Sequence, residues 1–291
     1  MRRKFGICEL STLNASFDDD LAAYAAAGAD GISIFEGKLV AGREAEQLES
    51  FRRSGLEASA AVLAVPSVLP LPRFPGPERP EERLEAMLAG MRRLAPFEPT
   101  AFVCPSGPAG ELTDAEARKT LGEGLRVLAD ESARLGIPVA LEPMSTFERE
   151  VWTLVTTLGE AAELVDEAGA DVGLVFDTWH LWNSPELDDD LERYGDRIVA
   201  VQVNDWRDPT RSWCDRVLPG DGVIDLGPLL DAVERTGWAG CYDLEVFSDD
   251  GKFGNDFEDS LWKLPADELA RRGRERFTQL ELSSSTEGRA A

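Results

Sequence analysis

The sequence predicts an α/β fold: one domain over residues 1–282 whose eight parallel strands close into a (β/α)8 TIM barrel, with a disordered tail, SSSTEGRAA, at 283–291. Three observations carry this. Short apolar runs alternate with longer amphipathic ones along the whole chain, the pattern of βα units whose parallel strands are buried on both faces. Eight such units recur at spacings of about 25 to 40 residues, a count that argues for closure rather than for an open doubly wound sheet. The first strand then ends CELSTLN, without the GxGxxG turn that cradles phosphate in open dinucleotide-binding sheets.

Taken in order, FGICEL (5–10) is the first strand. The helix SFDDDLAAYAAAGA follows, with Ser16 as N-cap, acidic residues in its first turn to complement the helix dipole, and Gly28 at its close. GISIFE (31–36) is the second strand, AGREAEQLESFRRSG a helix closed by Gly55, and LEASAAVLAV the third strand. The segment PSVLPLPRFPGPERP (66–80) is too rich in proline for regular structure; it reads as an ordered loop because the alternation resumes after it. Helix PEERLEAMLAGMRRLAPF leads to strand TAFVCPSG, and Thr113 with Glu116 forms a capping box for the next helix. The remaining strands are IPVALEPM (137–144), VGLVFD (172–177), RIVAVQVND (197–205) and CYDLEVFS (241–248), separated by TLGEAAELVDEAGA, the short acidic ELDDDLERYG and DLGPLLDAVERTGW. A last helix covers LPADELARRGRERFTQLEL.

Composition narrows the function. With 43% hydrophobic residues the chain can bury a large core. Its 30 basic residues face 55 acidic ones, a net charge of -25, which opposes binding to nucleic acid or to an anionic membrane. The start, MRRKFGICELS, lacks the apolar run of a signal peptide, and no stretch approaches the roughly 18 apolar residues of a membrane span, so a soluble cytoplasmic protein is expected. Four scattered cysteines without CxxC spacing read as buried thiols. The single histidine, His180, excludes multi-histidine zinc sites, and no GxSxG nucleophile motif is present.

In a barrel the chemistry sits at the C-terminal strand ends, and here those ends read Glu9, Glu36, Ser106, Glu142, Asp177, Gln202 with Asn204, and Glu245. A carboxylate that ends an apolar strand must find a cation, hydrogen bonds or water. Period two puts Ala140 with Glu142, Gln202 with Asn204, and Asp243 with Glu245 on common faces. Converging carboxylates repel one another, and a hard divalent cation relieves that repulsion. Oxygen donors favour Mg2+ or Mn2+, and the nearby imidazole would suit Mn2+ or Co2+ as well. Trp179, beside His180, offers a ring either for stacking on a sugar or for core packing.

The motifs LEPMSTFE (141–148), FDTWH, VQVND, RVLPGDGVID (216–225) and YDLEVF carry a resemblance. The chain resembles the xylose isomerase-like barrels, in the sugar isomerase/epimerase group with ketose 3-epimerases and inosose isomerases and dehydratases. The resemblance covers nearly the whole chain. It implies a metal held by Glu142, Asp177, Gln202 and Glu245, Mn2+ first with Mg2+ or Co2+ as alternatives; Gln202 stands where a histidine is common. It further implies Glu142 and Glu245 as the acid/base pair and substrate contacts from Glu148, His180 and Arg216, to which the strand-end reading adds Glu36 and Trp179. The expected activity is isomerisation or epimerisation of a small sugar, ketose or inosose-like molecule through an enediolate, in a homodimer or homotetramer. A dehydratase on the same site, or a silent ligand-binding barrel, is the alternative.

Overall fold

The computed structural model describes residues 2–287 apart from positions 75 and 148. Among the described residues the eight barrel strands are β1 Lys4–Cys8, β2 Gly31–Phe35, β3 Glu57–Val62, β4 Phe102–Pro105, β5 Val139–Glu142, β6 Gly173–Asp177, β7 Ile198–Val203 and β8 Cys241–Leu244. They form a closed barrel in the order β1-β8-β7-β6-β5-β4-β3-β2, the expected fold class. The helices that follow the strands are α1 Phe17–Ala26, α2 Glu44–Ser54, α3 Pro80–Leu94, α4 Asp114–Leu135, α5 Leu158–Ala168, α6 Leu187–Tyr194, α7 Leu226–Arg235 and α8 Ala266–Glu287. Helix α8 thus takes in the first five positions of the expected tail, and 288–291 lie outside the described residues. No helix among the described residues is long and apolar enough to cross a membrane.

By internal contact the chain divides into two compact units, Met1–Ser59 with Val201–Ala291, and Ala60–Ala200. In the first unit, strand register pairs Gly6 with Asp243 and Asp243 with Gln202. A Cβ on Gly6 would lie 1.8 Å from Asp243 Oδ1, so the glycine is the space that the carboxyl occupies. Ser59 Oγ donates to that carboxyl at 2.6 Å. Burial, opposed by the Ser59 hydrogen bond and reinforced by the Glu245 charge, pushes Asp243 up to about 7. On the opposite faces of β1 and β8, Phe5 and Tyr242 pack on Phe277 of α8 with ring centroids 5.0 and 6.1 Å apart. The expected caps are present: Ser16 Oγ accepts from Asp19 N, and Gly55 ends α2 in the left-handed region at φ 76°.

In the second unit the Thr113–Glu116 capping box opens α4. The described residues of the proline-rich segment form no helix or strand before α3, and Val68 and Leu69 are fully buried within it. What holds it is Arg83 of α3, itself 1% exposed, which donates to Ser67 O at 2.8 Å, Ser67 Oγ at 2.9 Å and Pro77 O at 3.0 Å. All four cysteines are free and buried.

Candidate active site

In the second unit, β5 ends on Glu142 and β6 on Asp177. Asp177 caps the one-turn helix Thr178–Leu181, its Oδ1 accepting from Trp179 N at 2.7 Å, and that turn carries His180 back toward the strand ends. One ligand atom each of Glu142, Asp177 and His180 lies within 4.8 Å of the others, and all three residues are buried. His180 Nε2 stands 3.9 Å from Glu142 Oε1 and 3.7 Å from Asp177 Oδ2.

Distance alone would let His180 ligate a cation. Its other nitrogen argues against that: Nδ1 accepts the backbone N–H of Ser145 at 3.0 Å, so the ring proton belongs on Nε2, which then faces the carboxylates as a donor and offers no lone pair. The Trp179 ring, 2% exposed, meets the His180 ring edge-on at 5.1 Å and the Phe147 ring at 6.1 Å. Burial, with the Glu142 charge nearby, pushes the Cys104 thiol up to about 12, so it offers no thiolate at neutral pH. Glu148 lies outside the described residues.

The first unit holds a second cluster. Gln202 of β7 donates from Nε2 to Glu245 Oε1 at 2.7 Å. Because a carboxylate oxygen only accepts, this contact fixes which end of the amide faces it. The same oxygen receives the Cys8 thiol at 3.5 Å, and Arg216 Nη1 donates to Glu245 Oε2 at 3.1 Å while its guanidinium lies 4.8 Å from the Phe247 ring centroid. The Gln202 amide oxygen is buried and, among the described residues, has no hydrogen-bond partner. Burial and the Glu245 charge push the Cys8 thiol well above its ordinary value, which keeps it a donor.

Arg216 is positioned by the loop after β7. Asp205–Trp206 pairs antiparallel with Arg216–Val217. Asp205 accepts the backbone N–H groups of Trp206, Gly220, Gly222 and Ile224 at 2.8 to 3.0 Å. Gly220 has φ +85°, and a Cβ on Gly222 would sit 2.4 Å from both Asp205 Oδ1 and Trp206 O, so the two glycines of the motif are demanded by this wrap.

Two other strand-end residues, Glu9 and Ser106, serve structure. Glu9 begins a 3-10 turn and its Oε2 accepts from Phe35 N at 2.8 Å, which holds the end of β2. Ser106 Oγ bonds Thr153 Oγ1 at 3.0 Å and accepts from Leu154 N at 2.9 Å. Glu36 is half-buried in the 3-10 turn after β2. Sequence reasoning missed Cys8, Ser145 and Asp205. Cys8 was within reach, since period two puts it on the face of Gly6; Ser145 acts through its backbone and left no signal in the side-chain pattern.

A closed barrel of eight parallel strands, several ending on buried carboxylates, has the architecture of the (β/α)8 enzymes. The chain belongs to the xylose isomerase-like TIM barrel family, whose pattern matches residues 21–280. It is similar to an inosose isomerase of Bacillus velezensis, 29% identical over 165 residues that cover 55% of this chain and 54% of that protein. It is also similar to a 3-dehydroshikimate dehydratase of Pseudomonas putida, 26% identical over 259 residues, 82% of this chain and 37% of that protein. The chain therefore spans about half the length, or less, of these curated relatives. A solved structure from Sinorhizobium meliloti 1021 superposes with a TM-score of 0.83 at 25% identity, covering 95% of this chain and 98% of that one.

Proposed function

We propose that this chain is a divalent-metal-dependent isomerase or epimerase of a small sugar, ketose or inosose-like substrate, moving a proton at the carbon beside a carbonyl through an enediolate. The observation that carries the reading is the pair of buried carboxylates, Glu142 and Asp177, that converge at the ends of β5 and β6 with His180 beside them. The donor chemistry fits a hard cation: buried carboxylates in one unit, and in the other a carboxylate beside a buried amide oxygen that lacks a partner among the described residues.

In this reading Glu142, Asp177, Gln202 and Glu245 hold the metal, Mn2+ first with Mg2+ or Co2+ as alternatives. A bound cation would supply charge withdrawal from the substrate's carbonyl and neighbouring hydroxyl oxygens. Glu142 and Glu245 take and return the proton. Three donors, from Gln202, Cys8 and Arg216, fix the orientation of the Glu245 carboxyl. His180 presents its Nε2–H to a substrate oxygen, and Arg216, Glu148, Glu36 and Trp179 complete the substrate contacts. Return of the proton to the same carbon from the opposite face gives an epimer, and return to the adjacent carbon gives the aldose–ketose isomer. Assembly as a homodimer or homotetramer in the cytoplasm belongs to the same proposal.

The test is solvent exchange. Metal-supplemented protein in deuterium oxide, given a panel of ketoses and inososes, is expected to wash deuterium into substrate C–H positions. Glu142→Gln and Glu245→Gln should each slow that exchange by about 10²- to 10⁴-fold. A metal-loaded protein that exchanges nothing across the panel sinks the reading. A dehydratase is the second reading, favoured by the match to the 3-dehydroshikimate dehydratase over 82% of this chain. It would reveal itself by loss of water and by the ultraviolet absorbance of an enone.

A further inference from the structure

We propose that Glu9 and Asp20 hold a single proton between their carboxyl groups, and that this protonated pair, with Lys38, positions the turn after β2 that carries Glu36. The pair, the lysine and the turn all belong to the first unit. Only the consequence for substrate, through Glu36, rests on the reading above.

Glu9 and Asp20 are fully buried, and the Lys38 side chain is 6% exposed. Glu9 Oε2 accepts from Phe35 N at 2.8 Å. That leaves Oε1, buried and reached by no donor among the described residues, for the hydrogen bond that the Glu9 carboxyl shares with the Asp20 carboxyl. Ionised carboxylates only accept, so a bond between two of these groups needs a proton on one of them. Asp20 is the ionised partner: its Oδ1 accepts from Thr12 Oγ1 at 2.7 Å and its Oδ2 accepts from Lys38 Nζ, so both its oxygens are already engaged as acceptors. The proton therefore sits on Glu9.

The count of charges agrees. Lys38 brings one positive charge and also donates to Thr12 O at 2.8 Å. Two ionised carboxylates beside it would leave a net negative charge in a buried cluster, whereas one leaves none. The other elements packed here bring no second cation among the described residues. Helix α1 adds the Tyr24 hydroxyl, bonded to Thr12 Oγ1, and β1 adds the buried Cys8 thiol. Helix α2 adds the neutral Gln47, whose Nε2 donates to Lys38 O at 3.1 Å and whose Oε1 accepts from Val40 N at 2.8 Å. The turn Leu261–Lys263 meets Leu10 O through Trp262 Nε1, and its Lys263 is paired with Asp256 at 2.6 Å. Burial, opposed by the Lys38 charge and reinforced by Asp20, holds Glu9 well above its ordinary value, and burial raises Asp20 too. Glu9 thus grips the end of β2 at Phe35 while Lys38 grips Thr12 and Asp20, so the turn is held on both sides. Removing the proton sets two carboxylates against one ammonium and releases the turn.

The test is infrared spectroscopy and amide hydrogen exchange of the full chain across pH, for the wild type and Glu9→Gln, whose amide can keep both hydrogen bonds without a proton to lose. At neutral pH the wild type should show the carbonyl band of a protonated carboxyl that Glu9→Gln lacks; subtracting the two spectra cancels the contribution of Asp243, which burial pushes up to about 7. The sign follows from proton binding. The fold keeps a proton that the unfolded chain has released, so this stability is complete below about pH 4.3 and is lost as pH rises through the folded value of the pair. Over that interval the unfolding constant of the wild type should rise about tenfold per pH unit relative to that of Glu9→Gln. As the band fades, exchange protection of the Phe35 and Leu39 amides should fall by about tenfold or more relative to Glu9→Gln at the same pH. If Glu9→Gln does not fold, the wild type alone decides, by whether its band and its Phe35 protection are lost over one pH range. No protonated-carboxyl band at neutral pH, a band unchanged in Glu9→Gln, or Phe35 protection that does not follow the band overturns the inference. Absence of substrate deuterium exchange at every pH strikes the isomerase reading and leaves the proton-held turn standing, because neither the band nor the protection depends on substrate.

Discussion

Gln202 lies near the end of β7 and Asp205 three residues on, in the loop that follows, and both are buried. Asp205 accepts four backbone N–H groups and has become the hub of a loop. Gln202 makes one contact through its nitrogen and leaves its oxygen open among the described residues. The difference separates two uses of a buried polar group. One whose hydrogen-bonding capacity is filled by its own chain holds structure; one that leaves capacity unfilled carries a stability cost that a ligand can remove.

The strongest attempt to break this contrast is Asp205→Ala. It strands four N–H groups, and we expect a loss of about 3 kcal/mol or more in urea unfolding, with amide exchange accelerated across 216–225. A loss below about 1 kcal/mol would show that the loop holds itself without its hub. Gly222→Ala comes next, because its new carbon would meet Asp205 Oδ1 and Trp206 O at 2.4 Å. A cost of about 1–3 kcal/mol is expected by overpacking, read as a lowered melting temperature. Gln202→Leu should then change the stability of the metal-free protein by less than about 1 kcal/mol, since it removes an unsatisfied acceptor along with one hydrogen bond. A large destabilisation in the presence of chelator would place Gln202 with Asp205 instead.

The smallest effect sharpens the contrast in the other unit. Glu131 of α4 accepts from Arg92 Nε at 2.6 Å and Arg134 Nη1 at 2.9 Å, and these hydrogen bonds hold its carboxyl down at about 2. Its folded value lies below its unfolded one. Its contribution is therefore present at neutral pH and disappears as pH falls from about 4.3 toward 2. The stability difference between wild type and Glu131→Gln should accordingly shrink from pH 6 to pH 3. A difference constant over that range would remove Glu131 from the class of chain-satisfied acids.

Much of the fold was legible because its signals are local. The apolar runs, Ser16, Gly55 and the Thr113–Glu116 box act within one or two turns, and each stands where expected. Strand ends were less legible. FGICEL reads as a strand to Leu10, but β1 stops at Cys8 because Glu9 turns aside to accept from Phe35, a partner 26 residues away. Arg83 sits in an amphipathic helix and reads as surface charge; its burial depends on carbonyls of a loop whose path no periodicity encodes. Within the candidate site, Glu142, Asp177 and His180 were readable from their spacing after apolar strands, and the structure brings them together. The proton position on His180 was not, because a backbone N–H at Ser145 decides it.

Arg83 has a consequence of another kind. One guanidinium grips Ser67 and Pro77, so the two ends of the intervening stretch are anchored by a side chain from outside it. Beyond the buried Val68, Leu69 and Leu71, residues between such anchors can be exchanged, lengthened or shortened while the points of entry and exit stay put. For a scaffold whose relatives carry different activities, a clasped segment of this sort is raw material for divergence: selection can rewrite its middle without renegotiating the barrel.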